Sequence, residues 1–233
     1  MSKKKPRKRI KIKMRRVENL CKYTWEKFKS RAALSQRMFH QIETYLNDFS
    51  DYVPLNFDHL AVYSLKLVTA ILEIGPEIIN SFDLAAFPSG SMNIFELYDD
   101  TIIGHREKLF EKERDLRKKK RSLTFKDYYD FLKIPEICNL DQATIQLRPL
   151  NAYIMPFQKN NPDWWESYNQ LRHDKYDNLK SATLQNALKA ASALFWLVHH
   201  NSKRIFDSTF SSNLFLKVEN YEIDPERTSL TKI

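Results

Sequence analysis

The sequence predicts a mainly α-helical protein, and three observations carry that prediction. Glycine is nearly absent, with three residues in 233 where roughly 7% is usual. That leaves little material for tight hairpin turns, bulged strands or phosphate-cradling loops, and argues against all-β, dinucleotide-binding and P-loop folds together. Hydrophobic residues make up 42% and aromatics 13% of the chain, which suits a packed core rather than a disordered polymer. The apolar residues of the long segments recur at threes and fours, the spacing of one helix face. A helical domain over residues 17–206, with a basic arm (1–16) and a tail (207–233), is the simplest division of the chain.

The arm comes first. The formal net charge is +9, but residues 1–16 hold ten cations and no acid: Lys3, Lys4, Lys5, Arg7, Lys8, Arg9, Lys11, Lys13, Arg15 and Arg16. The remaining chain sets 28 basic against 29 acidic side chains. Basicity therefore belongs to the arm, which is expected to be disordered when free and to bind phosphate non-specifically. No apolar stretch follows it, so it does not read as a secretion signal. The most apolar windows, Leu60–Ile74 and Ala187–Val198, are short and interrupted by charge, so no membrane span is expected.

Val17 to Asp48 predicts an amphipathic helix, apolar at Leu20, Trp25, Phe28, Leu34, Met38, Ile42 and Tyr45. A second helix is expected from Asp58 to Ala85, with a kink or break at Gly75–Pro76. Ala86–Ser91, holding Pro88 and Gly90, reads as a loop. Asn93 and Glu96 then suit a helix start. Phe95, Ile102, Leu109 and Leu116 form a narrow seam spaced by seven on a rod (92–121) that carries nine Lys/Arg and four Glu/Asp between His105 and Arg121. Such a rod projects, pairs with one partner helix, or is a solvated helix laced with ion pairs one turn apart.

Thr124 with Asp127 predicts a capped short helix from Phe125 to Leu132. Thr144–Leu147 and Tyr153–Met155, bounded by Pro149 and Pro156, are the β-like segments. Asn161-Pro162-Asp163 reads as a helix cap, an N1 proline and a first-turn acid. The helix from Lys180 to Phe206 is apolar nearly all round between Ala187 and Val198, which marks a central position. In the tail, Leu214–Val218 is the one segment that suits extended structure.

The chemistry is narrowed by exclusion. Cys21 and Cys138 make neither a disulfide framework nor a zinc site, and fit a reducing, cytoplasmic setting. No two of the six histidines have the i,i+4 spacing of ligands on one helix face, so no metal or cofactor is expected. Asn169, Arg172, His173 and Tyr176 are spaced to share one helix face. Arginine offers a planar fork that suits phosphate, and histidine is the side chain most able to move a proton near neutral pH.

The segment Trp164-Trp165-x-x-Tyr168-Asn169-x-x-Arg172-His173-Asp174-Lys175 is followed by Ala182-Thr183-x-x-Asn186-Ala187-Leu188 and Ala193-Leu194-Phe195. Together these resemble the C-terminal half of HEPN-like helical proteins. Pro54-x-x-x-x-His59 through Tyr63-Ser64 resembles that group's first core helix, so the likeness covers roughly residues 53–205. It implies a compact helical bundle, a homodimer, and a place in prokaryotic defence or toxin–antitoxin systems. In ribonuclease members an arginine and a polar residue precede a histidine by a few positions. Here Arg172 is present and His173 fills the polar position, but the downstream places hold Asp177, Asn178 and Leu179. The resemblance therefore implies binding of RNA without a complete catalytic motif, through Asn169, Arg172, Tyr176 and the arm. An active metal-independent endoribonuclease using Arg172 and His173 is the first alternative. An interaction module docking an acidic partner is the second.

Overall fold

A computed structural model describes residues 24–87 and 100–218. Six α-helices and one three-stranded sheet make up the described residues: α1 (Trp25–Ser50), α2 (Leu65–Ala86), α3 (Asp100–Lys118), α4 (Phe125–Leu132), β1 (Ile145–Leu147), β2 (Ala152–Ile154), α5 (Asp163–His173), α6 (Leu184–Phe206) and β3 (Phe215–Lys217). The mainly helical class with a short β segment is what the sequence predicts. None of the described helices is long and apolar enough to cross a membrane.

The centre is α6, from which Ala187 to Val198 is buried except at Lys189. Its most extensive contact is with α2; α1, α5 and the sheet cover its other sides. Fully burying each large side chain such as Leu194, Phe195 or Leu197 contributes about 1.5–3 kcal/mol. The sheet order is β2-β1-β3, all antiparallel, with Gln146 opposite Tyr153 on one side and Leu216 on the other.

Several boundaries differ from the sequence reading, each for a local reason. The described part of α1 begins after Thr24, whose hydroxyl accepts from the Lys27 N–H; Val17–Tyr23 lie outside the described residues. Helix α2 starts at Leu65 rather than Asp58, because Ser64 caps it and the preceding backbone is committed elsewhere. There Leu184 N–H donates to Val62 and Gln185 N–H to Leu60, joining this segment to the start of α6. That junction also delays α6 from Lys180 to Leu184, with Thr183 as its cap. Helix α2 then runs unbroken through Gly75 and Pro76. At the start of α5 the cap position belongs to Pro162, extended at φ −65° and ψ 151°, and Asn161 does not cap. The α4 capping box is present in both halves. The loop with Pro88 and Gly90, the Asn93 start and Phe95 lie outside the described residues.

The charged rod does not project. Its buried line is Ile103, Arg106, Leu109 and Glu113, with Phe110 and Leu116 packed against the main core. The seam of sevens is replaced by a face of threes and fours, because a single helix against a globular body follows the 3.6-residue period. Lys112 pairs with Asp127 of α4, and Arg117 with Glu113 at 2.8 Å. The helix ends in a left-handed turn: Lys120 N–H donates to Arg117, Arg121 N–H donates to Leu116, and Lys120 has φ 53°. That conformation costs a residue other than glycine on the order of 1 kcal/mol. A homodimer would use either the Phe95/Ile102/Leu109/Leu116 seam or the helices that carry Trp164, Trp165 and Trp196; within the chain Leu109, Trp164 and Trp196 are buried, and Ile102, Leu116 and Trp165 are half-buried.

The segment after α6 is part of the core. Phe210, Leu214 and Phe215 are buried, and β3 is held by one buried acid of α1. One oxygen of Glu43 accepts from the Ser212 hydroxyl and from the N–H groups of Asn213 and Leu214, at 2.7 and 2.9 Å for the latter two. Replacing Glu43 with Ala removes the acceptor of the buried Ser212 hydroxyl and of the Asn213 N–H, and leaves the Leu214 N–H with the Ser212 oxygen alone; it should destabilise the fold by about 1–3 kcal/mol. Amide hydrogen exchange checks the mechanism: Leu214 and Phe215 should lose protection ahead of the β1–β2 pairing.

Candidate functional site

Helix α5 buries Trp164, Ser167, Tyr168 and Leu171, at offsets of three, four and seven that share one face. Each is locked from a different element. The Trp164 indole N–H donates to Pro156 at 2.8 Å. The Ser167 hydroxyl accepts from the Asn186 amide of α6 at 2.7 Å. The Tyr168 ring lies against α2 at Gly75, where a Cβ would clash with its Cε2, Cδ2 and Cζ atoms. Gly75 thus serves close approach of two helices.

With that face fixed, the opposite edge of α5 forms one wall of an open groove of about 600 Å³. The segment leading into α4, from Ser122 to Lys126, lines it as well, together with Asn160, Asn161 and Ile79 of α2. Among the described residues, no carboxylate lines it. A ladder of rings runs through it: Phe125 on Trp165 with centroids 4.6 Å apart, Trp165 against Tyr168 at 4.8 Å, and the Arg172 guanidinium over Tyr168 at 5.7 Å. The rings are occupied by one another, so what the groove presents is the exposed Arg172 fork. Amides, hydroxyls and the Lys126 ammonium surround it. The nearby Asp127 is directed away into the α4 cap. Burial pushes its carboxyl up, but the Lys112 ammonium and the Thr124 N–H and hydroxyl outweigh this and hold it below the usual carboxylate value.

The four residues that the sequence set on one face are not all brought together. Asn169 and Arg172 line the groove. His173 is the last residue of α5, exposed and outside the groove lining. Tyr176 is beyond the helix altogether and 73% exposed, with the Lys175 ammonium 5.0 Å from its ring. The helix stops because the Asp174 side chain turns the chain, accepting from the Tyr176 and Asp177 N–H groups. Asn178 seals the end by donating to Gln170 and Asp174. Lys3, Lys4, Lys5, Arg7, Lys8 and Arg9 lie outside the described residues. Lys126, Asn160 and Asn161 were missed by sequence reasoning, since only the fold brings the α4 entry beside α5.

A second place where reactive side chains meet is Cys138 and His200, with Sγ 3.6 Å from Nε2 and the imidazole stacked on Trp196 at 5.2 Å. Burial pushes the Cys138 thiol up to about 12, against the opposing pull of Arg204, Lys217 and Arg106. Burial, reinforced by Arg204 and Lys217, also drives His200 well below 6.5. The pair is neutral on both sides, and a thiol is a nucleophile only as its thiolate. Among the described residues, no group of three or more His, Cys, Asp or Glu is placed to hold a metal ion.

Two outcomes follow from this geometry. Gly75→Ala should destabilise the protein by about 1–3 kcal/mol in urea melts, and should change tryptophan fluorescence because Tyr168 can no longer lie against α2. In a Cys21→Ser background, Cys138 should alkylate far more slowly in native than in unfolded protein at pH 8. His200 adds a pH dependence: below about 6.5 the unfolded chain takes up a proton that the folded one refuses, so stability falls with falling pH. That slope should shrink in His200→Gln. Compared with family models, curated proteins and solved structures, the chain matches none of them.

Proposed function

We propose that this chain binds nucleic acid, RNA in particular, as a HEPN-like helical protein, holding the phosphate backbone in the groove between α4 and α5. The observation that carries this reading is the seating of Arg172. Its guanidinium rests over Tyr168 in a groove lined by Lys126 and three asparagines and, among the described residues, by no carboxylate. An arginine stacked on a ring loses less freedom on binding, and its fork matches two phosphate oxygens at once. Amides in the groove lining suit the sugar and base edges of an unpaired strand, which is where RNA is read in sequence. The preference for RNA, an intracellular setting and a role in prokaryotic defence rest on the resemblance and the cysteine usage. Dimerisation belongs to the same proposal.

Binding without cleavage is the favoured form. Proton transfer at the 2′-hydroxyl normally contributes 10²–10⁴-fold to rate, and no histidine lines the groove beside Arg172. Arg172→Ala should weaken RNA binding about tenfold at about 0.1 M salt. Arg172→Lys should restore only part of it, and His173→Ala should change it little; fluorescence anisotropy with a short single-stranded RNA measures all three. The same RNA should survive incubation in EDTA. Cleavage that leaves 2′,3′-cyclic phosphate ends and disappears in His173→Ala would establish the nuclease reading instead.

A further inference from the structure

Five consecutive cations, Arg117 to Arg121, end α3 and lead directly into the groove wall at Ser122. Two of them have partners within the helix: Arg117 with Glu113 and Lys118 with Asp115. Lys119, Lys120 and Arg121 are exposed and form no ion pair with an acid of the described residues. Cations in the last turn of a helix are favoured by its dipole, which accounts for Arg117 and Lys118. That effect fades beyond the last turn, where the other three stand.

The conformation of Lys120 is a second, independent observation. Four residues of the described chain other than glycine have positive φ: Lys120, Asn139, Asn151 and Asp207. Asparagine and aspartate tolerate the left-handed region; lysine has no such allowance. The position after a helix C-cap is where glycine is preferred, and lysine occupies it here at a cost in stability. Strain retained at an exposed, charged position points to a use for the side chain. The run is also fixed in place, since Leu116 before it and Leu123 after it pack into the core.

We infer that Lys119, Lys120 and Arg121 form a phosphate-binding turn at the mouth of the α4–α5 groove, gripping the backbone of a single strand as it enters. The inference rests on the nucleic-acid reading above and extends it to a second element of the fold. Arg121 is one peptide from the groove wall, about 3.8 Å between Cα atoms. A strand that lies on Arg172 and runs along the wall at Ser122 meets these three charges, and each phosphate contact releases counterions and adds to the salt dependence of binding.

The test uses the full chain and a short oligouridine, with affinity measured by anisotropy across a salt series. Replacing Lys119, Lys120 and Arg121 together with Gln should lower the slope of log K against log salt by about two, at roughly 0.7 per contact on a single strand. At about 0.1 M salt this is about a hundredfold weaker binding. Lys120→Gly alone should raise Tm by roughly 2 °C while lowering the slope by roughly 0.7, so stability and binding move in opposite directions. An unchanged slope in both variants, with the unsubstituted chain still binding RNA, overturns the turn's role and leaves the groove reading intact. No RNA binding by the unsubstituted chain overturns both. If polyglutamate of equal charge binds as tightly and loses the same slope, the turn is a docking patch for acidic protein, and the strand-gripping role is overturned.

Discussion

A helix that is apolar around its whole circumference has no face to turn toward water, so every neighbour must help to enclose it. Helix α6 is in that position, and the remaining elements can be understood as its cover. Its few polar groups are met one by one as the cover closes. Asn201 donates to the Ser81 carbonyl at 3.0 Å, Ser202 accepts from Gln36 at 2.8 Å, and the His199 ring meets the Phe210 carbonyl at 2.9 Å. These bonds come from α2, α1 and the C-terminal segment respectively, so each cover is registered as well as attracted. Apolar burial alone would tolerate sliding along the helix; the polar groups set the position.

The candidate site inherits its geometry from this enclosure. Helix α5 is held to α6 through Ser167 and Asn186, and to α2 through Tyr168 at Gly75. Only after both contacts are made do Asn169 and Arg172 face the segment before α4. Arg172 owes its orientation to Tyr168, and Tyr168 owes its own to a missing Cβ on another helix. This is how a solvent-exposed guanidinium acquires a defined direction without an acid to pair with. It is also why substitutions well away from the groove can alter it.

Local signals in the sequence proved most legible where the physics is local. The Thr124–Asp127 box, the short strands near Thr144 and Tyr153, and the buried centre of α6 all depend on nearest-neighbour preference or periodicity. What the sequence hid was decided by distant partners. Gly75–Pro76 has the composition of a break, yet the helix continues because the glycine is filled by a ring ninety-odd residues later in the chain. The rod 105–121 has the composition of a solvated helix, but three or four apolar side chains suffice to lay it on α4 once Asp127 receives Lys112. Tyr176 fell outside its expected face because Asp174 ends the helix, and a side-chain turn of that kind competes with helix continuation. The pairing of the α4 entry with α5 has no local signature at all.

The Glu43 contact ties the first described helix to residues 212–214, positions 169 to 171 apart in the chain. During synthesis, α1 emerges from the ribosome long before the donors that its buried carboxylate requires. Until then the acid must stay hydrated, which keeps α1 from settling against α6 and Phe210 in its final position. The core is thus closed by a segment made well after α1, with a correspondingly large loop to close. Such an arrangement delays completion of the fold until residues 212–214 have emerged, and until then leaves the nascent chain with an exposed apolar α6 face for chaperones to cover.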